Sequence, residues 1–164
     1  MQREYAALIE EFIRLLVGEF GDRVASVLVF GSVARGTARA NSDIDLCVVI
    51  RDLPASRYRR HQLLAQVLAA LRSGRTYCDS IQRGYTPDFS VLLYTPDEVK
   101  ETKPIFLDMV EEAVFVLDDG TMKTKLESLR RRLRELDSRK VTLSDGTYYW
   151  LLKPDLQFGE VVEL

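Results

Sequence analysis

Cysteine is scarce in this sequence: Cys47 and Cys78 stand alone among 164 residues. Two thiols so placed make neither a disulfide framework nor a CxxC metal site. Cys47 lies within an apolar run and reads as a small buried hydrophobe. Histidine is scarcer still. His61 is the sole one, and it falls on the solvent side of an expected helix, where it reads as surface. No apolar run approaches the roughly 20 residues that a membrane span needs. The opening MQREYAALIEEF is charged and amphipathic, without the apolar stretch of a signal peptide. An excess of one charge is missing too. With 23 basic and 25 acidic residues the formal net charge is -2, which gives no electrostatic reason to expect a nucleic-acid surface. These absences predict a reduced, soluble, cytoplasmic protein with no membrane partner.

What is present fits one globular domain with a genuine core: 46% of the residues are apolar and 29% charged. Leu8, Ile9, Phe12, Leu15, Leu16 and Phe20 recur at helical spacing and predict a helix over about 3–20, stopped by Gly21. VASVLVF (24–30) and IDLCVVI (44–50) read as buried strands. Ser56 can cap a helix whose Leu63, Leu64, Val67, Leu68 and Leu71 share a face. SGRTYCDSIQRGYTP (73–87) reads as a loop, and DFSVLLY (88–94) as a third strand. TPDE (95–98) has the form of a capping box that starts a helix, with Pro104 dividing it. VFVL (114–117) predicts a fourth strand. Met122, Leu126, Leu129, Leu133 and Leu136 mark a last helix, and a hairpin follows around Asp145-Gly146. The expected fold is α/β of the α+β kind: a small mixed β-sheet flanked by helices. The expected division is a core over 1–118 and a C-terminal helix and β-hairpin extension over 119–164.

The chemistry concentrates in GSVARGTARANSDIDL, from Gly31 to Leu46. Gly31 and Gly36 are spaced like the start of a P-loop, but Thr37 stands where its lysine would be, so that motif fails. Phosphate chemistry survives without it. A glycine after a strand permits a sharp turn, and N–H groups near Ser32, with its hydroxyl, can meet an anion. An ordinary strand-to-helix turn is the alternative for these residues alone. Asp43 and Asp45 then leave one face of the next strand while Ile44 points to the core. Aspartate is depleted in strands, and like charges on one face repel. A hard divalent cation would offset that cost, and Mg²⁺ usually takes one or two carboxylates plus substrate phosphates. A polar strand entry with both groups solvated is the alternative. An EF-hand is ruled out because Leu46 and Cys47 replace required oxygen ligands and glycine.

The run Gly31-Ser32, Arg35-Gly36, Ser42-Asp43-Ile44-Asp45-Leu46 resembles the signature of the DNA polymerase beta-like nucleotidyltransferase superfamily. It is most similar to the minimal nucleotidyltransferases of bacteria and archaea, often found beside helical HEPN-type proteins. The resemblance covers about residues 5–118 and implies the nucleotidyltransferase fold. It also implies transfer of a nucleoside monophosphate from a nucleoside triphosphate, ATP being the expected donor, with release of pyrophosphate. On this resemblance Gly31 and Ser32 hold the β- and γ-phosphates, with Arg35, Gly36 and Ser42 in the same nucleotide-binding run. Asp43 and Asp45 bind two Mg²⁺ ions.

The resemblance implies a third carboxylate on a neighbouring strand, which binds the catalytic metal and helps deprotonate the nucleophile. Asp88 fits, because Asp88, Ser90 and Leu92 share one strand face, although Asp88 follows Pro87 and Asp79 is a rival. Arg35 and Arg39 can equally contact triphosphate or lie in solvent. The charged last helix reads as a solvated face, and Tyr148, Tyr149 and Trp150 as packing of the hairpin against the sheet, with stacking on a base as the alternative. The acceptor implied is a hydroxyl, on a HEPN-type partner protein or on a small molecule. A non-catalytic nucleotide-binding or antitoxin scaffold module is the rival reading.

Overall fold

The computed structural model describes residues 2–164. The N-terminal periodicity is realised as α1 (Ala6–Phe20), which buries Leu8, Ile9, Phe12, Leu16 and Phe20. Gly21 ends it at φ +56°, a conformation that side chains with a β-carbon avoid. Next come β1 (Val24–Phe30), the short α2 (Gly31–Arg35), β2 (Ile44–Ile50) and α3 (Arg57–Ser73). The chain continues through α4 (Arg75–Gln82), β3 (Phe89–Tyr94), α5 (Pro104–Glu112), β4 (Val114–Asp118) and α6 (Thr121–Glu135). It ends in the hairpin of β5 (Arg139–Thr142) and β6 (Tyr148–Leu151).

The main sheet is four-stranded and mixed, in the order β3-β2-β1-β4. β1 runs antiparallel to β2 and to β4, while β2 and β3 are parallel. Strand alternation divides the core in two. Val27, Val29, Leu46 and Val48 face α1 and α3, where Leu64, Val67 and Leu71 meet them. Leu28, Phe30, Cys47 and Val49 face α5 and α6, against Phe106, Met109, Met122 and Leu126. Burial pushes the Cys47 thiol up to about 12, so it packs as an inert hydrophobe. Among the described residues no helix is long and apolar enough to cross a membrane.

Two expectations need correction. The stretch 73–87 is not all loop, since Arg75–Gln82 forms α4. Gly74 is an extended junction between two helices (φ -77°, ψ 155°); it punctuates without ending helical structure, and Tyr77 packs on the first core. The capping box at Thr95 does form, with Thr95 N donating to Glu98 Oε2 at 2.8 Å and Glu98 N to Thr95 Oγ1 at 3.2 Å. It yields only a turn. Pro104 forces Lys103 into extended backbone (φ -99°, ψ 145°), so the proline opens α5 at its first turn instead of dividing a longer helix.

The hairpin is held to α5 by a polar anchor, where packing against the sheet was expected, and Tyr148 and Tyr149 stay exposed. Lys140 Nζ (3.1 Å), Tyr148 Oη (2.8 Å) and Trp150 Nε1 (3.1 Å) all donate to Asp108 on α5. At the far end of the sheet, Ser26 of β1 donates to Asp118 Oδ1 at 2.5 Å. The same carboxylate accepts from the N–H groups of Gly120 and Met122 and so ties the start of α6 to the sheet.

Candidate functional site

The quoted run crosses one end of the sheet. β1 stops at Phe30, which lies opposite Asp45 in the antiparallel register, so the turn that follows starts beside that carboxylate. Gly31 adopts φ +69°, and a β-carbon there would collide with Asp45 Oδ2. Glycine meets both demands without strain and without moving the Asp45 carboxylate. α2 is a single short helix closed by Gly36 at φ +77°, with Thr37 N donating to Ser32 O at 2.9 Å. Ser42 closes the next turn: its Oγ accepts from Arg39 N at 2.9 Å, while its own N–H donates to Arg39 O at 2.9 Å. Tyr5 secures the same loop by donating to Arg39 O. The chain then enters β2 with Asp43 exposed and Asp45 half-buried.

The electrostatics single out Asp45. Burial raises its pKa above the ordinary carboxylate value, and the charges of Asp43 and Glu112 add to the rise. A hydrogen bond from Ser90 and the charge of Arg35 oppose it without cancelling it. Ser90 is the register partner of Asp45 on parallel β3. Burial first, and the neighbouring acids next, thus disfavour the ionised form of Asp45, a cost that a divalent cation would relieve.

Asp88 behaves differently. It is level with the start of β2, since Ile44 N donates to Asp88 O at 2.8 Å. Its carboxylate, however, accepts from Phe89 N at 2.9 Å and from Arg72 Nη2 at 2.5 Å. These hydrogen bonds, the one from Phe89 N first and that from Arg72 next, hold its pKa below the usual range. Arg72 belongs to α3, which packs on the opposite face of the sheet from Asp45. The rival Asp79 lies on α4 and pairs with Arg75 at 3.6 Å. Among the described residues, no group of three or more His, Cys, Asp or Glu side chains is arranged to hold a metal ion. The Asp43–Asp45 pair thus fits a cation that completes its shell with substrate phosphates, not a preassembled three-acid cage.

One participant was not foreseen. Glu112, the last residue of α5, accepts the Gly31 N–H at 3.0 Å and the Arg35 guanidinium at 2.5 Å. Spacing along the chain carries no hint of this contact. A weaker signal was available: Glu111 and Glu112 sit at a helix C-terminus, where the helix dipole disfavours anions. His61 is exposed, as expected for a surface residue; Arg39 is exposed too, which leaves both of its readings open.

Fold and motif together define a nucleotidyltransferase. The chain belongs to the nucleotidyltransferase domain family, whose sequence model matches residues 9–144, and it is an enzyme of that type. A relative from Methanocaldococcus jannaschii, named "Putative protein adenylyltransferase MJ1305", is 41% identical over 132 residues, covering 79% of this chain and 83% of that protein. Among solved structures, a toxin–antitoxin crystallised with AMP-PNP has a TM-score of 0.47 at 17% identity, over 78% of this chain and 91% of the other. The toxin–antitoxin MntA-HepT has a TM-score of 0.43 at 15% identity, over 78% and 88%. Scores below 0.5 add nothing to what the family match already establishes.

Proposed function

We propose that this protein transfers AMP from ATP to a hydroxyl group of a partner protein. The acceptor oxygen attacks the α-phosphorus, a new P–O bond forms, and the bond to the β-phosphate breaks so that pyrophosphate leaves. The acceptor's proton passes to a carboxylate. The observation that carries the reading is the half-buried, electrostatically strained Asp45 packed against a glycine turn. Carboxylates for a cation and donors for a triphosphate thereby occupy one small face.

In this scheme Gly31, Ser32, Arg35, Gly36 and Ser42 form the nucleotide-binding run. The Gly31 turn and the Ser32 hydroxyl orient the β- and γ-phosphates, and Arg35 offsets their charge. Gly36 and Ser42 hold the two turns in shape through the contacts described above. Asp43 and Asp45 hold the divalent cation, Mg²⁺ by the hardness of its oxygen ligands, with two ions in the full assembly. Bound there, Mg²⁺ would offset the carboxylate repulsion and the charge that builds on the leaving pyrophosphate. Asp88 is the third carboxylate and takes the acceptor's proton. To do so it must exchange Arg72 for the reacting groups, because a carboxylate held at low pKa by the Phe89 N–H and by an arginine is a poor base.

The protein acceptor is supported by the name of the Methanocaldococcus relative, and a HEPN-type helical protein is the partner we put forward. The test is to incubate the chain with Mg-ATP labelled at the α-phosphate and such a protein. Label on the acceptor with matching pyrophosphate release is expected. Label that appears only on small-molecule hydroxyls would overturn the protein acceptor, and no pyrophosphate release with any acceptor would overturn transfer itself.

A further inference from the structure

Two of the donors that this reading gives to the triphosphate, the Gly31 N–H and the Arg35 guanidinium, are already engaged. Glu112 bridges them with one carboxylate, Oε1 taking the Gly31 N–H at 3.0 Å and Oε2 taking Arg35 Nη1 at 2.5 Å. A backbone N–H and a guanidinium presented to a pair of oxygens are also what a phosphate group would engage. The Glu112 side chain is only 11% exposed, so it has given up most of its hydration for these two bonds. Its position is otherwise unfavourable. It lies at the wrong end of a helix for an anion, and its charge contributes to the raised pKa of Asp45. Nor does α5 need a carboxylate there for packing, since Phe106, Leu107, Met109 and Val110 carry its buried face.

We propose that Glu112 is an internal stand-in for substrate phosphate. It holds the Gly31 turn and Arg35 while no nucleotide is bound, and triphosphate oxygens displace it. The proposal rests on the nucleotide reading of the Gly31–Asp45 face. Its consequence is that part of the binding energy of the triphosphate is traded for the broken Glu112 bonds and not added to them. Removing the charge should therefore tighten binding. A residue that merely positioned Gly31 and Arg35 would do the reverse, because its loss would leave both donors disordered.

The experiment is calorimetric titration of wild type, Glu112→Gln and Glu112→Asp with Mg-ATP and with Mg-tripolyphosphate. Glu112→Gln keeps the shape but weakens the hold on Arg35, and should tighten both ligands about 5- to 10-fold, the scale of one exchanged charge-assisted hydrogen bond. The gain should be equal for the two ligands, because the competition is for phosphate donors and not for the base. Glu112→Asp is too short to bridge both donors and should gain an intermediate factor. It keeps the test alive if Glu112→Gln does not fold. Unchanged or weaker binding in the folded variants, or a gain for Mg-ATP alone, overturns the role of Glu112 and leaves the nucleotide site standing. No binding of either ligand to any of the three proteins overturns the nucleotide reading, and this proposal with it.

Discussion

Asp45 and Asp108 are both partly buried aspartates on the same side of the sheet, and they meet opposite fates. Burial alone would push Asp108 up, but hydrogen bonds from Trp150, Tyr148 and Lys140 bring its pKa below the ordinary value. For Asp45 burial wins: Asp43 and Glu112 add negative charge, and Ser90 and Arg35 are too little to reverse the rise. One carboxylate is supplied with donors by its own chain and anchors the hairpin. The other is left short of positive charge at the edge of a glycine turn. A protein keeps such a deficit where a ligand fills it. The difference separates an acid whose charge its own chain compensates from one whose charge it does not, and the second is the one we propose for the chemistry.

The sharpest break of that comparison is in activity. Asp43→Asn and Asp45→Asn should each abolish nucleotidyl transfer, followed as labelled acceptor, while circular dichroism stays that of the wild type. Asp108→Asn should transfer normally per folded molecule. Next in size is Asp88→Ala, expected to lower transfer about 10²-fold, the scale of losing a positioned base, with Mg-ATP affinity nearly unchanged. Asp79→Ala should change neither quantity. Full transfer by Asp88→Ala would remove Asp88 from the mechanism.

Smaller effects lie in stability. Asp108→Ala strips three hydrogen bonds and leaves Lys140 and Trp150 without their acceptor. A loss of about 2–3 kcal/mol is expected, or a Tm lower by about 4–10 °C, read by thermal melting. Asp45→Asn without metal should instead gain about 0.5–1 kcal/mol by removing a charge that burial disfavours and that Asp43 repels. The two have opposite pH signatures. A raised folded pKa means that ionised Asp45 costs stability at neutral pH, and the cost fades as pH falls through that value towards the ordinary one. The advantage of Asp45→Asn should fade with it. Asp108, with a lowered folded pKa, stabilises above the ordinary value, and its contribution disappears as pH falls through the folded one. A deficit in Asp108→Asn should therefore shrink in acid.

Much of this was legible from residues alone. β1 and β2 declare themselves as apolar runs; strand alternation sets the face of Asp45, while Asp43 stands one residue ahead of β2, near enough that its charge raises the Asp45 pKa. The helix at Arg75 was hidden by the glycines and polar residues around it, and the turn at Thr95 was over-read because its capping box is real but Pro104 limits what can follow. Contacts made by folding were out of reach. No spacing rule links Glu112 to Gly31, or Arg72 to Asp88, since each pair is joined only when a helix end meets a strand end. Local chemistry picked out the candidate acids, and tertiary packing chose the partners seen here.

The most direct test of the account is whether the charge deficit at Asp43 and Asp45 is a cation site that nucleotide binding requires. Calorimetric titration of the wild type with ATP, once in Mg²⁺ and once in EDTA, asks that question. Saturable binding in Mg²⁺ that disappears in EDTA, and disappears in Asp45→Asn under both conditions, is the predicted result. Equal affinity with and without the metal would contradict it.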